Sequence, residues 1–87
     1  MGSYKLLIRP SAVKEIEAIP KKDRARIVKK IQGLSENPRP AGCEKLSGQE
    51  RYRLRQGDYR IVYEIHDDEV AVVVVKVAHR REAYRDG

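Results

Sequence analysis

Three β-rich runs separated by two short turn signals fill residues 51–79 and constrain the fold of this chain more than any other feature. The runs read RYRLR, YRIVYEIH and EVAVVVVKVAH, with QGD and DD between them. Connections this short join neighbouring antiparallel strands, because a parallel connection needs a dozen or more residues. The pattern therefore predicts a three-stranded antiparallel meander, whose nearly continuous apolar run at 70–77 is an interior strand.

The first half of the chain predicts one strand and two helices. Residues 4–9 alternate as a strand, Pro10 supplies a stop, and Ser11 signals the start of a helix. In SAVKEIEAIP the residues Val13, Ile16 and Ile19 recur at helical spacing until Pro20 interrupts them. An amphipathic second helix runs from Lys21 to about residue 36, and an irregular loop with two prolines continues to about residue 50. The fold class is α+β, with one mostly antiparallel sheet and a short C-terminal tail or helical turn.

Composition narrows the classes of function. The 87 residues suit a single domain spanning 1–87, and their formal charge of +6 favours a polyanion or an acidic protein as partner. One cysteine and two histidines provide no disulfide and no zinc-ligand spacing, so we expect no metal and no cofactor. No apolar run is long enough to cross a membrane, and no signal peptide pattern opens the chain, so we expect a cytoplasmic protein.

The arginines of the predicted hairpin raise the question of function. Side chains alternate across a strand, so Arg53 and Arg55 point to the face opposite Leu54. If the turn contains two or four residues, Arg60 lies across from Arg55 and joins that face. Facing like charges destabilise a hairpin unless solvent or an anion relieves them. The charge pattern alone leaves open a solvated sheet face, offset by Glu50, Asp58 and Glu64, and a site that binds a phosphate backbone.

The chain resembles the RelE/ParE superfamily of bacterial and archaeal toxins from toxin–antitoxin pairs. The resemblance covers nearly the whole sequence and rests on the element order and on five local signatures: RPSAVKEIEAIP, NPRP, EKLSG, YRLRQGDYRIVYEI and VAHRREAYR. It implies a RelE-like toxin that enters the ribosomal A site and cuts mRNA without metal, by attack of the ribose 2′-hydroxyl on its neighbouring phosphate. It also implies a cognate antitoxin that covers the toxin in a hetero-oligomer. The ribosome and mRNA are the targets that the resemblance implies.

The resemblance also implies roles for individual residues. Arg53 and Arg55 fall where RelE has lysines and would stabilise the developing phosphorane charge, while Arg60 would grip the scissile phosphate. Tyr84 falls on the tyrosine assigned as general base, and Arg80 on the arginine assigned as general acid. A dense arginine cluster favours phenolate and so would lower the pKa of that tyrosine.

His79, just before Arg80, departs from the RelE pattern and is a joint candidate for the proton donor, because an imidazole titrates near neutrality. It could equally be a strand-end residue bonded to a backbone carbonyl. Tyr84 could likewise pack a loose tail onto the sheet.

Two other functions fit parts of the same pattern. A ParE-like toxin would poison DNA gyrase by binding and would need no catalytic residues. A nucleic-acid-binding module would need the arginines but no positioned Tyr84. The joint presence of the four arginines and Tyr84 favours the ribonuclease.

Overall fold

A five-stranded sheet with two helices packed on one face forms the described part of the chain, residues 3–46 and 50–79 of the computed structural model. Proline begins the first helix, where its missing N–H is not needed and its fixed φ suits the first turn. The elements are β1 (Lys5–Ile8), α1 (Pro10–Glu17), α2 (Lys21–Gly33), β2 (Glu44–Lys45), β3 (Arg51–Gln56), β4 (Tyr59–His66), a 3₁₀ turn (Asp67–Glu69) and β5 (Ala71–His79).

The strand order is β1-β5-β4-β3-β2. β5 runs parallel to β1 and antiparallel to β4, and the pairs β4–β3 and β3–β2 are antiparallel. The predicted α+β class, the meander and the interior position of the valine-rich strand are confirmed. The predicted tail lies outside the described residues.

The predicted loop and several element boundaries differ from the sequence-based expectation. The predicted loop contains β2, a two-residue strand that pairs Glu44 with Arg53 and Lys45 with Tyr52. α1 begins at Pro10 rather than at Ser11, and α2 ends at Gly33 rather than near residue 36. After Gly33 the backbone tightens into hydrogen bonds of the i to i−3 type, which a helix often uses at its C-terminal end.

The core lies between the helices and the inner face of the sheet. α2 buries Ile27 and Ile31, with Leu34 just beyond its end, and Val28 packs partly buried beside them. On α1 the buried positions are Ala12 and Ile16, with Ile19 following the helix. The expectation that Val13 belongs to the apolar stripe was wrong, because its side chain is 38% exposed. The sheet contributes buried side chains from three strands: Tyr52, Leu54, Ile61, Tyr63, Ile65, Val72, Val74 and Val77.

Two tyrosines and an aspartate anchor the loop between α2 and β2. The hydroxyl of Tyr63, a fully buried residue, donates a hydrogen bond of 2.8 Å to the carbonyl oxygen of Pro38. Arg39 donates from Nε to the Tyr52 hydroxyl, and its Nη2 lies 2.9 Å from a carboxylate oxygen of Asp67. Tyr4 donates its hydroxyl proton to the same carboxylate at 2.9 Å. The loop is thereby held against the end of the sheet nearest the 3₁₀ turn.

Replacing Tyr63 by Phe should lower the free energy of unfolding by about 1–2 kcal/mol. The change removes one buried hydrogen bond, and the Pro38 carbonyl loses the hydroxyl that donates to it. The ring stacking of Tyr63 on Tyr52, with centroids 5.8 Å apart, remains in the variant. Urea unfolding of both proteins measures the difference. Tyr4→Phe is the matched control: its hydrogen bond is exposed, so we expect a change below about 0.5 kcal/mol. Equal losses in the two variants would contradict the anchoring role of Tyr63.

Candidate functional site

The β3–β4 turn determines which arginines share a face. Gln56 pairs with Tyr59, so only Gly57 and Asp58 form the turn. Gly57 has a φ of 60°, a left-handed value that glycine adopts without the steric penalty of a Cβ. With this two-residue turn Arg55 pairs directly with Arg60, and Arg53 pairs with Val62. The predicted register is confirmed, and these arginines lie on the sheet face opposite the helices, which we call the arginine face.

A cleft of about 280 Å³ opens where β2 ends and the edge of β3 is no longer covered. We call it the arginine cleft. Three arginines and one lysine bring positive charge to it, and one glutamate brings negative charge. Its described lining residues are Lys30, Ala41, Gly42, Glu44, Arg53, Leu54, Arg55 and Arg60.

The arginines of the cleft have different surroundings. Arg60 is only 5% exposed, and its Nη1 donates a hydrogen bond of 3.3 Å to the carbonyl oxygen of Tyr59. Arg53 donates from Nη2 to Glu44 Oε1 at 2.9 Å. Arg55 is exposed and forms no ion pair with any residue of the described ranges. The cleft thus combines a buried cation, a paired cation and an accessible cation, an arrangement suited to a phosphate group.

The opposite end of the arginine face is balanced by Glu64. Its Oε2 accepts a hydrogen bond of 3.0 Å from Arg51 Nε and lies 3.8 Å from Arg9 Nη2, while its Oε1 lies 3.0 Å from His66 Nε2. Partial burial works to raise the pKa of the Glu64 carboxyl. The hydrogen bonds with His66 and Arg51 and the charges of Arg51 and Arg9 outweigh that effect and hold the pKa below its usual value. Positive charge is therefore concentrated at the turn end of the face.

Comparison with known proteins identifies the family of this chain. A family model described as the ParE toxin of the type II toxin-antitoxin system, parDE, matches residues 6–84. The chain belongs to the RelE/ParE toxin superfamily.

RelE toxins are among its relatives. The toxin RelE of Mycobacterium tuberculosis is 32% identical over 84 residues, which cover 94% of this chain and 87% of that protein. The archaeal RelE–RelB complex from Pyrococcus horikoshii superimposes with a TM-score of 0.81 at 27% identity, over 90% of this chain and 96% of the other. The intact Escherichia coli RelBE toxin-antitoxin complex gives a TM-score of 0.75 at 33% identity, over 88% and 96% of the two chains. This protein is therefore a RelE-like toxin of a toxin–antitoxin system.

His79 lies on the helix side of the sheet, away from the arginine face of this RelE-like toxin. It pairs with Tyr59 across β4 and β5, and the two rings meet edge to face with centroids 5.6 Å apart. It lines a separate cavity of about 280 Å³ with Glu15 and Lys76, whereas Arg60 pairs with Ala78 and points to the other side. The structure does not bring His79 together with the arginine cleft.

A β-bulge decides the orientation of His79. The β4–β5 register shifts between Val62 and Tyr63, which pair with Lys76 and Val74 respectively. Before the bulge the even-numbered Val72 and Val74 face the core, and after it the odd-numbered Val77 does. One extra residue on a strand moves every later side chain to the opposite face.

The remaining site predictions, Arg80 and Tyr84, lie outside the described residues. Sequence reasoning missed Glu44 and Lys30, which line the arginine cleft. The signal for Glu44 was weak, because a pair such as Glu44–Lys45 has no recognisable strand alternation. Within residues 3–46 and 50–79 no cluster of three or more His, Cys, Asp or Glu side chains could hold a metal ion. In the same ranges no helix has the length and apolarity to cross a membrane.

The Glu64 cluster should make part of the stability depend on pH. Because folding lowers the pKa of Glu64, its contribution is fully present above the usual glutamate value of 4.5 and is lost as the pH falls through the folded-state pKa. Glu64→Gln should therefore be less stable than the wild type at pH 7, and should lose less of its free energy of unfolding between pH 6 and pH 3. Chemical unfolding at several pH values measures both quantities. Glu36→Gln, at an exposed position after α2, should keep the wild-type profile; identical profiles for all three proteins would contradict the prediction.

Proposed function

We propose that this toxin is a ribosome-dependent endoribonuclease that cleaves mRNA in the A site and so inhibits translation. The arginine cleft is the observation that carries the proposal. A two-residue turn places Arg55 opposite Arg60, and the short strand β2 leaves the cleft open beside Arg53. Facing arginines repel each other across a hairpin, and an RNA phosphate bound beside them would offset that repulsion.

The proposed chemistry is an internal transesterification. The ribose 2′-hydroxyl loses its proton and attacks the neighbouring phosphorus, while the bond from phosphorus to the 5′-oxygen breaks and that oxygen takes up a proton. The products are a 2′,3′-cyclic phosphate and a 5′-hydroxyl end. Arg53, Arg55 and Arg60 would stabilise the added charge on the phosphorane, since guanidinium groups fit phosphate oxygens in a bidentate manner.

The proton carriers of the proposal are Tyr84 as general base and Arg80 as general acid, by resemblance to RelE. His79 was the joint candidate for the acid. Its observed contact with Tyr59 on the helix side does not favour direct proton donation into the arginine cleft. That contact is with an aromatic ring, so the alternative of a strand-end residue bonded to a backbone carbonyl stays a prediction.

An antitoxin is the proposed partner. Solved relatives include toxin–antitoxin complexes from Mycobacterium tuberculosis and Escherichia coli. A cationic cleft with an accessible arginine also suits an acidic protein that covers it. The ribosome and mRNA are the proposed targets when the antitoxin is absent.

A ParE-like gyrase poison is the second candidate, because the matching family model is described as a ParE toxin. Expression of the chain in cells separates the two candidates. Mapped mRNA 5′ ends within translated codons support the ribonuclease, whereas intact mRNA with gyrase-linked DNA breaks supports the poison. If growth is arrested but neither cut mRNA nor gyrase-linked DNA breaks are found, both candidate functions are contradicted.

Arg55→Ala should reduce the cleavage of mRNA on translating ribosomes by about 100-fold, because it removes a donor to the developing phosphorane charge. It should also reduce the slope of log affinity for single-stranded RNA against log salt by about 0.7. Single-turnover cleavage and filter binding measure these effects.

Arg51→Ala is the matched control for Arg55→Ala. It removes the same charge from the same face, but Arg51 is engaged by Glu64 at the far end. We expect cleavage within about threefold of the wild type. Arg60 is less suitable for truncation because it is buried, so Arg60→Lys, which retains the charge, is the better variant there. Equal losses in the Arg51 and Arg55 variants would remove the support for a localised phosphate site.

Tyr84→Phe should lower the cleavage rate at saturating ribosomes by about 100-fold or more while leaving RNA affinity unchanged, because only the proton acceptor is removed. His79→Gln, in contrast, should retain most of the cleavage rate, since its ring lies on the other side of the sheet. Single-turnover rates over a range of pH values test both variants. Full activity of Tyr84→Phe would contradict the role of the tyrosine, and loss of the basic limb of the profile in His79→Gln would restore the histidine as proton donor.

A further inference from the structure

Glu44 is the one carboxylate that the structure places along the described lining of the arginine cleft. The cleft is otherwise cationic, with Lys30 and three arginines around it. Glu44 lies on β2, directly across from Arg53 in the strand pairing, so the backbone holds it at the mouth of the cleft. The role assigned to the arginines does not account for a negative charge at this position.

The environment keeps Glu44 ionised at neutral pH. Its Oε1 accepts the 2.9 Å hydrogen bond from Arg53, and that bond together with the charges of Arg53, Arg55 and Arg60 lowers the pKa of its carboxyl. The side chain is 67% exposed, and an exposed ion pair contributes little to stability. The carboxylate therefore matters chiefly through the field that it adds to the cleft.

That field acts differently on the two classes of phosphate in RNA. A phosphodiester inside a chain carries one negative charge, whereas a phosphomonoester at a chain end or on a free nucleotide carries about 1.5 to 2 at pH 7. The four cations attract the monoester more strongly, and the Glu44 carboxylate repels it more strongly. Without a carboxylate the cleft would be a general site for abundant phosphomonoesters.

We propose that Glu44 is a specificity-determining residue of the arginine cleft, which disfavours phosphomonoesters relative to the internal phosphodiesters of an RNA chain. The inference rests on the proposed function, since it assumes that the cleft receives RNA phosphate. At a separation of about 6 Å and an effective dielectric constant of about 40 to 80, one additional unit of ligand charge changes the affinity roughly threefold to tenfold. Glu44 thus reduces the occupancy of the cleft by free nucleotides and cleaved chain ends.

The opposite role for Glu44, orienting Arg53 for the ligand, predicts the opposite result. The hydrogen bond occupies one of the five guanidinium N–H groups of Arg53 and so would restrict its rotation. Removal of Glu44 would then weaken both classes of phosphate. Because the pair is exposed, we expect this orienting effect to be smaller than the repulsion between the carboxylate and a bound phosphate.

The test compares two probes on the full chain. One is a dinucleoside monophosphate with a 2′-deoxyribose at the point of attack, which carries one phosphodiester and cannot be cleaved. The other is a nucleoside 3′-monophosphate. NMR titration of the arginine Nε–H signals measures both affinities for the wild type, Glu44→Gln and Glu50→Gln. Glu50 is exposed, pairs with Lys45 and does not line the cleft, so its variant removes the same charge at a different place.

The proposal expects Glu44→Gln to bind the monophosphate more tightly and to raise its affinity relative to the diester by roughly threefold to tenfold at pH 7.5. At pH 5 the monoester carries close to one charge while Glu44 stays ionised, so this difference should shrink. Glu50→Gln should show neither change.

Three results would overturn the proposal. An unchanged ratio of the two affinities in Glu44→Gln contradicts the discrimination while leaving the phosphate site intact. Weaker binding of both probes by Glu44→Gln assigns the residue to the orientation of Arg53. Failure of both probes to bind the wild type refutes the phosphate site, and the proposed function loses its support together with the inference.

Discussion

The register between β3 and β4 is the constraint on which this structure depends. Its two-residue turn assigns each side chain of the hairpin to the core or to the arginine face. A shift of one residue would bury Arg53 and Arg55 against the helices and expose Leu54. Such a slip would expose apolar side chains that are now nearly or fully buried and so would lose much of the hydrophobic stabilisation of the core. These side chains are Tyr52, Leu54, Ile61 and Tyr63. The arrangement of the cationic site is thus maintained by the packing on the opposite side of the sheet.

The distribution of charge along the arginine face follows from the pairing of β3 with both of its neighbouring strands. Arg51 meets Glu64 and Arg53 meets Glu44, whereas Arg55 meets Arg60. An exposed ion pair such as that of Arg53 contributes little stability, and the facing arginines at the turn are where a bound anion would reduce charge repulsion most. The arginine cleft at this end of the face is thus the site to which the proposed function assigns RNA phosphate. The anchored loop after α2 completes it, because the residues that follow Arg39 form one wall of the cleft.

Much of the fold could be predicted from sequence because strong local signals agree. The turn at QGD, the alternation in YRIVYEIH and the helical spacing of Ile27, Ile31 and Leu34 all point to the same architecture. β2 was not predicted, because two polar residues show no periodicity. They form a strand only because the tertiary structure brings them beside β3. The ion pair between Arg39 and Asp67 joins positions far apart in the chain, and no local pattern connects them. The sheet face on which His79 lies depends on a bulge within a run of valines. Because these side chains are alike, the sequence does not show where the alternation between the two faces shifts by one residue.

The position of β5 between β1 and β4 has a consequence for the synthesis of such a toxin. β1 forms its parallel ladder with β5 alone. Strand β1, which begins at Lys5, therefore has no strand to pair with until β5, which begins at Ala71, has been synthesised. This interior strand, β5, is also the last described element in chain order. A nascent chain that lacks β5 has neither the parallel ladder nor the core side chains Val72, Val74 and Val77. The described lining residues of the arginine cleft are therefore all synthesised before the strand that completes the sheet, and the ordered cleft forms only after residue 79 has been made.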